Sequence, residues 1–222
     1  MLLHPLILSI QVATVATALA FASGLMLALW LAKSNFKGKS IIEILVSLPL
    51  ILPPTVLGYY LLILLGRNGP FYPLGLRVVF TWWAAVIAST VVALPLMVQS
   101  SRAAIAAVNP QLEKAAGSLG APPWRVLLDV TLPLARRGIL AGTVLAFARS
   151  LGEFGATLMV AGNIPGQTQT LPLAIYDLVQ ANRLSEANAA VLLMTGVSFA
   201  LLLLVKQLER RSSPKRDKNA QG

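Results

Sequence analysis

The chain has 222 residues, 56% of them hydrophobic and only 12% charged, with a mean hydropathy of +0.74. A soluble domain carries about 25% charged residues, so the composition places this chain in a membrane. Its net charge of +10 comes without a basic stripe interleaved with aromatics, which excludes a nucleic-acid surface; the absence of cysteine excludes disulfides, thiol catalysis and cysteine-ligated metal.

A spanning helix needs about 20 apolar residues, and five runs reach that length. The first covers 5–32. No basic region precedes it and it is too long for a signal-peptide core, so it reads as a retained span. The second, 40–65, contains LPLILPPTVLGYY, with Pro49, Pro53 and Pro54. Each proline removes a backbone donor and crowds the preceding turn. In lipid the freed carbonyls must find partners inside the protein or in a wet cavity. The segment is therefore a broken helix lining a pathway or a kink at a helix-packing contact, and the residues alone leave both open. Gly66-Arg67-Asn68-Gly69-Pro70 is a turn cluster. The third span, 82–108, opens on Trp82 and Trp83, residues suited to a membrane interface; its Pro95 is a weaker interruption.

Next comes NPQLEKAAGSLGAPPWRVLLDVTLPL, residues 109–134, polar and then amphipathic between two apolar runs. It predicts a short helix over about 111–124 held at the membrane surface, with small residues that let a partner approach closely. The fourth span, 138–162, contains FARSLGEFGATLMVAGNIPG. Arg149 and Glu153 are one helical turn apart and can pair on one face. A charge at membrane depth costs about 2.5–3.5 kcal/mol on insertion scales, so the two either fix the packing as an internal pair or stand beside a path. Gly152 and Gly155 are read as points of close helix approach. Thr157, Asn163, Thr168 and Thr170 offer neutral hydrogen-bonding groups at the far end of this span, to a passing oxyanion or, as such residues more commonly do, to caps and turns. Residues 171–184, LPLAIYDLVQANRL, are short and interrupted by Asp177 and Gln180, which favours a half-helix at one surface over a sixth span. The fifth span is 188–205. Residues 1–211 form the membrane domain, and 212–222 a polar, disordered tail.

Charge sets the orientation. With five spans and the N-terminus outside, inner segments hold Lys33, Lys37, Lys39, Arg102, Lys114, Arg125, Arg136, Arg137, Lys206 and the basic C-terminal residues. Outer segments hold only Arg67, Arg77 and Arg183. That asymmetry predicts N-out, C-in, and puts the 109–134 stretch on the cytoplasmic side.

No catalytic constellation is present. There is no phosphate-cradling GxxxxGK[ST] loop and no set of ligands at metal spacing, so the sequence assigns no catalytic residue, no metal site and no cofactor to this chain. Candidates for a translocation path are Pro53, Pro54, Arg149, Ser150, Glu153, Thr157 and Asn163. An ion-coupled carrier or channel would use Arg149 and Glu153 as its ion-linked groups, but no internal repeat of the kind such carriers commonly show is visible.

The 113–133 stretch resembles the cytoplasmic signature loop of permeases from binding-protein-dependent ABC importers, where Glu-Ala-Ala leads to a Gly and then to an apolar-x-Leu-Pro end. Ala115, Ala116, Gly120, Val130, Leu132 and Pro133 match in spacing, while Lys114 stands where the glutamate is usual. Residues 47–62 and 147–176 further resemble molybdate importer permeases, a pattern that sulfate and tungstate permeases share in large part. The resemblance implies an all-α, type I importer permease fold. It implies two copies of the chain around the path, two cytoplasmic ATPases that bind ATP and Mg, and an outer oxyanion-binding protein. The ATPases would dock on Glu113, Lys114, Ala115, Ala116, Gly117, Ser118, Leu119, Gly120, Trp124 and Arg125.

Overall fold

The computed structural model describes residues 2–34, 36–75 and 77–210, and the regular structure among them is helical. The 212–222 tail lies outside the described residues. Helix α1, Leu3–Lys33, has 31 residues, long enough to cross a bilayer with a turn to spare at each end. Pro5 sits in its first turn, where a missing N–H breaks no bond. Helix α4, Trp82–Ala106, runs beside α1 in the same direction: Thr90 Oγ1 donates to the Ala16 carbonyl at 3.4 Å, and a Cβ on Gly24 would stand 2.9 Å from Met97 Cγ.

Two proline-led turns separate α4 from the next long helix. Helix α5, Pro110–Ser118, is followed by α6, Pro123–Arg125, then a π-helical segment, Val126–Thr131, and α7, Leu132–Leu151. Residues Pro123–Leu151 together make one 29-residue span. Helix α7 returns antiparallel to α4 on small residues: a Cβ on Gly138 would come within 2.5 Å of Ala104, and one on Gly142 within 2.7 Å of Ser100. In lipid there is no hydrophobic drive between helices, so such close backbone approach is what holds them. The Gly138-x-x-x-Gly142 spacing is the sequence signal for this contact.

The fourth span departs from expectation. It starts fifteen residues before position 138, because the amphipathic stretch with exposed Arg136 and Arg137 continues the helix beyond the apolar run. It also ends at Leu151. Gly152 and the non-helical Phe154 (φ −133°, ψ −60°) break it, and the chain restarts as α8, Gly155–Ala161. Of the two glycines read as close-approach points, Gly155 is one: its Cβ would meet Pro54 Cβ at 2.9 Å. Gly152 is exposed and has no such neighbour.

The second span is likewise two pieces, α2 (Lys39–Ile51) and α3 (Pro54–Leu65), bent by 114°. Leu52 and Pro53 are extended because each precedes a proline, whose ring excludes the helical region. At 13 and 12 residues, about 20 and 18 Å, neither crosses the roughly 30 Å core alone. Helix α2 lies along the α5 end of α4, through Arg102–Glu43 at 3.0 Å and a 3.2 Å bond from Gln99 Nε2 to Ser47 Oγ. Helix α3 lies at the other end, crossing α8. Four helices among the described residues are thus long and apolar enough to span, with α2 and α3 forming a broken fifth.

A 3-10 turn, Tyr72–Leu74, links α3 to α4. Helix α9, Leu171–Gln180, is a half-helix of 10 residues, docked where Leu171 N–H donates to Ser9 Oγ of α1 at 2.7 Å. Helix α10, Leu184–Arg210, completes the bundle. The core forms two tiers along α1 and α4: Leu8, Val12, Leu57, Val92 and Val160 away from α5, and Leu31, Met97, Ile105 and Ile139 towards it.

Candidate coupling and translocation site

Helix α5 is built to stand proud of the bundle. Asn109 caps it, its Oδ1 accepting from Gln111 N–H at 2.9 Å, and Pro110 fills the first position. It stops at Ser118, earlier than the 111–124 expected, because Gly120 adopts φ +86° and Pro122-Pro123 forbid continuation. None of its residues is buried. Lys114, Ala115, Gly117, Ser118 and Gly120 are exposed, Leu119 is 90% exposed and Trp124 59%. Arg125 lies over the Trp124 ring at 5.3 Å, a cation–π contact that fixes both on the surface. A Cβ on Gly117 or Gly120 would meet nothing within 4 Å. Leu119 in particular is an apolar group left open to solvent among the described residues.

Glu113 and Ala116 are the half-buried positions of α5, one turn apart on the face towards the bundle. Glu113 Oε1 pairs with Lys33 Nζ, at the end of α1, at 2.5 Å, and accepts from Thr131 Oγ1, at the end of the π-helical segment, at 2.5 Å. The Lys33 ammonium and the Thr131 hydroxyl hold this carboxyl below the usual carboxylate range. Glu113 is therefore turned away from the exposed face on which the sequence grouped it, and that face is left basic around Lys114 and Arg125. Neither Lys33 nor Thr131 could be found from sequence as its partners, the former being 80 positions away.

The second cluster lies at the two helix breaks. Pro54, heading α3, packs on Gly155, heading α8; one turn further, a Cβ on Gly58 would fall 2.7 Å from Met159 Cβ and 2.9 Å from Ala156 Cα. Glu153, 2% exposed, fills the α7–α8 break. Its Oε2 pairs with Arg149 Nη1 at 2.9 Å, and its Oε1 accepts from Ala156 N–H at 2.8 Å, supplying the first turn of α8 with a partner. Ser150 donates to the Ser89 carbonyl at 3.4 Å. Thr157 is 1% exposed and its hydroxyl has no partner among the described residues. So Pro53, Pro54, Arg149, Ser150, Glu153 and Thr157 come together around the breaks.

Asn163 does not join them. It lies beyond the far end of α8, where its amide donates to Asp177 Oδ1 at 2.6 Å, and Gln169 Nε2 donates to Asp177 Oδ2 at 2.6 Å. Thr168 serves the same loop, accepting from Ile164 N–H at 3.0 Å and donating to the Gly162 carbonyl at 3.2 Å. Asp177, which the sequence offered only as an interruption, is the anchor of α9. Among the described residues no group of His, Cys, Asp and Glu is arranged to hold a metal ion.

The family described as "Binding-protein-dependent transport system inner membrane component" matches residues 24–218. The putative molybdenum transport system permease protein YvgM of Bacillus subtilis (strain 168) is 44% identical over 209 residues, covering 91% of this chain and 92% of its own length. The molybdenum transport system permease protein ModB of Escherichia coli (strain K12) is 43% identical over 216 residues, covering 95% and 94%. Among solved structures, one of the MetNI methionine ABC transporter in inward-facing conformations superposes with a TM-score of 0.72 at 18% identity, covering 93% of this chain and 94% of that one.

Proposed function

Since the chain belongs to the family of binding-protein-dependent transport system inner membrane components and has the fold of a type I ABC importer permease, we propose that it is the permease through which molybdate enters the cell. Two copies form the path in the cytoplasmic membrane, with N-termini outside and C-termini inside. An extracytoplasmic oxyanion-binding protein delivers the anion, and two cytoplasmic ATPases, which hold ATP and Mg, seat one α5 each. ATP-driven closure of the ATPases moves the α5 helices and switches the path between its two openings. This chain supplies the path and performs no ATP chemistry.

The observation that carries the reading is α5 itself: a capped helix without a buried residue, with open Gly117 in its last turn, open Gly120 just beyond it and Leu119 at 90% exposure. A solvent-facing leucine at the C-cap of a nine-residue helix makes sense as a surface a second protein covers. The substrate assignment draws on the relatives named for molybdenum transport. The charge arrangement suits an anion path: the Arg149–Glu153 pair leaves no net fixed charge at the breaks. Discrimination among tetrahedral dianions then falls to the binding protein, which can desolvate the anion and hydrogen-bond each oxygen.

The test is uptake of molybdenum and tungsten at low external anion, with excess sulfate, in cells with and without the gene. Loss of molybdenum uptake that sulfate does not mask supports the assignment, and tungsten measured alongside shows how far the two are distinguished. Unchanged molybdenum and tungsten with impaired sulfate uptake moves the chain to sulfate and keeps the importer mechanism.

A further inference from the structure

Helix α5 is not packed onto the bundle so much as tethered to it. An open pocket of about 510 Å³ lies beside it, lined by Lys33, Glu113, Gly117, Trp124, Val126 and Thr131. Among the described residues, the side-chain bonds that leave α5 for other helices are both made by Glu113, to Lys33 and to Thr131. The remaining ones are local: Asn109 to Gln111, and Ser118 Oγ to the Lys114 carbonyl. Lys33 ends a helix that crosses the whole bundle. Thr131 is 1% exposed and ends the π-helical segment from which α7 runs to the break at Glu153. A π-helical turn holds one residue more than an α-turn, and such turns recur at functional sites.

We infer that Glu113 is the positioning residue through which displacement of α5 reaches the membrane helices, drawing on α1 through Lys33 and on α7 through Thr131. The inference rests on the permease reading and deepens it. An ion pair and a hydrogen bond meeting on one carboxylate oxygen resist being pulled apart, whereas a helix face beside an open pocket transmits little. Without the tether, an ATPase could move α5 into the pocket and leave α1 and α7 behind. ATP would then be hydrolysed with little transport.

Glu113→Gln keeps an acceptor for Thr131 and removes the charge that holds Lys33; Lys33→Met cuts the same bond from the other side. The complex of this chain with its ATPase and binding protein is reconstituted in proteoliposomes, and molybdate uptake and ATP hydrolysis are measured on the same vesicles. Both variants are expected to lose about tenfold in uptake, the loss of a charge-assisted hydrogen bond, and for Lys33→Met, which lies outside the docking stretch, hydrolysis should stay within about twofold. In the permease alone, amide exchange over 110–118 should accelerate several-fold. Unchanged uptake per ATP, or uptake and hydrolysis falling in parallel as in a complex that merely assembles poorly, overturns the coupling role; unchanged exchange overturns the tether. Wild-type vesicles that hydrolyse ATP but accumulate no oxyanion would instead overturn the permease reading, before any variant is compared.

Discussion

Replacing Glu153 separates two roles that its position allows. Its side chain is 1% exposed, with one oxygen on Arg149 and the other on the Ala156 amide. Glu153→Gln retains an acceptor for Ala156 N–H and removes the charge. Cutting one side of a buried pair costs about 3–5 kcal/mol, but the Arg149 side chain is 30% exposed and can be partly rehydrated, so about 1–3 kcal/mol is expected. Glu153→Ala also strands the Ala156 amide, adding about 1–2 kcal/mol as a lost cap. The midpoint of thermal inactivation of the purified complex should therefore fall in the order wild type, Gln, Ala. The double variant Arg149→Met with Glu153→Gln should recover part of the Gln loss, because the orphaned guanidinium is gone. Variants that all inactivate like wild type while uptake collapses would refute this reasoning and place the carboxylate in contact with the passing anion.

Gly58→Val should cost about 1–3 kcal/mol by overpacking, since even a Cβ there falls 2.9 Å from the Ala156 backbone; thermal inactivation of the complex reads it, and an unshifted midpoint would mean that α3 and α8 do not cross at this point. Gly117, unlike Gly120 at φ +86°, has a helical backbone, and a Cβ there would meet nothing within 4 Å, so a bulky residue at 117 should let the chain reach the membrane yet lose co-purifying ATPase; undiminished co-purification would remove the loop from the docking surface. Lys114→Glu reverses the charge of the exposed α5 face and should weaken the same complex, most visibly at low salt; a complex equally stable across ionic strength would contradict it. Glu113 titrates lower in the folded chain than its unfolded value near about 4.3. Its contribution to holding α5 is thus complete above that value and lost as pH falls through the lowered one. Intrinsic-rate-corrected exchange over 110–118 should stay flat from about pH 7 to 5 and rise only below about pH 4. A reporter fused after Gly166 should be external and one after Gln221 internal; both on one side would refute the orientation.

The parts of the fold that were legible in the sequence are those decided by local chemistry. Pro53-Pro54 announces its break because a proline excludes the helical region at the residue before it, whatever surrounds it. Asn109-Pro110, a cap followed by a first-turn proline, carries the same kind of local signal for the start of α5, which the expected 111–124 helix does not use. The break at Gly152–Phe154 had no such announcement. Residues 147–161 keep a helical pattern through it, and Arg149 and Glu153 stand at the spacing that favours a continuous helix. What decides the matter is that Glu153 satisfies Arg149 and the Ala156 amide at once, which needs the chain to turn between them. Glu113 is similar. The sequence groups it with the docking stretch although it stands one position before the usual glutamate, and only the end of α1, brought to it by the packing of α1 on α4, supplies the partner that the sequence did not show.

The two breaks gain meaning from lying against each other. Unbonded backbone is tolerated at membrane depth only where it is enclosed by protein or faces water. Here Pro54 packs on Gly155 and Gly58 on Ala156, so the free end of each half-helix is covered by the other. This enclosure depends on the absence of side chains: any residue larger than glycine at position 58 or 155 would push the halves apart and expose both ends. The same half-helices also send Leu57 and Val160 into the core shared with α1 and α4, while α1, α4 and α7 meet one another at Gly24, Gly138 and Gly142. Helix α7 connects the α3–α8 crossing to α5, with Glu113 bonded at its near end and Glu153 capping the turn at its far end.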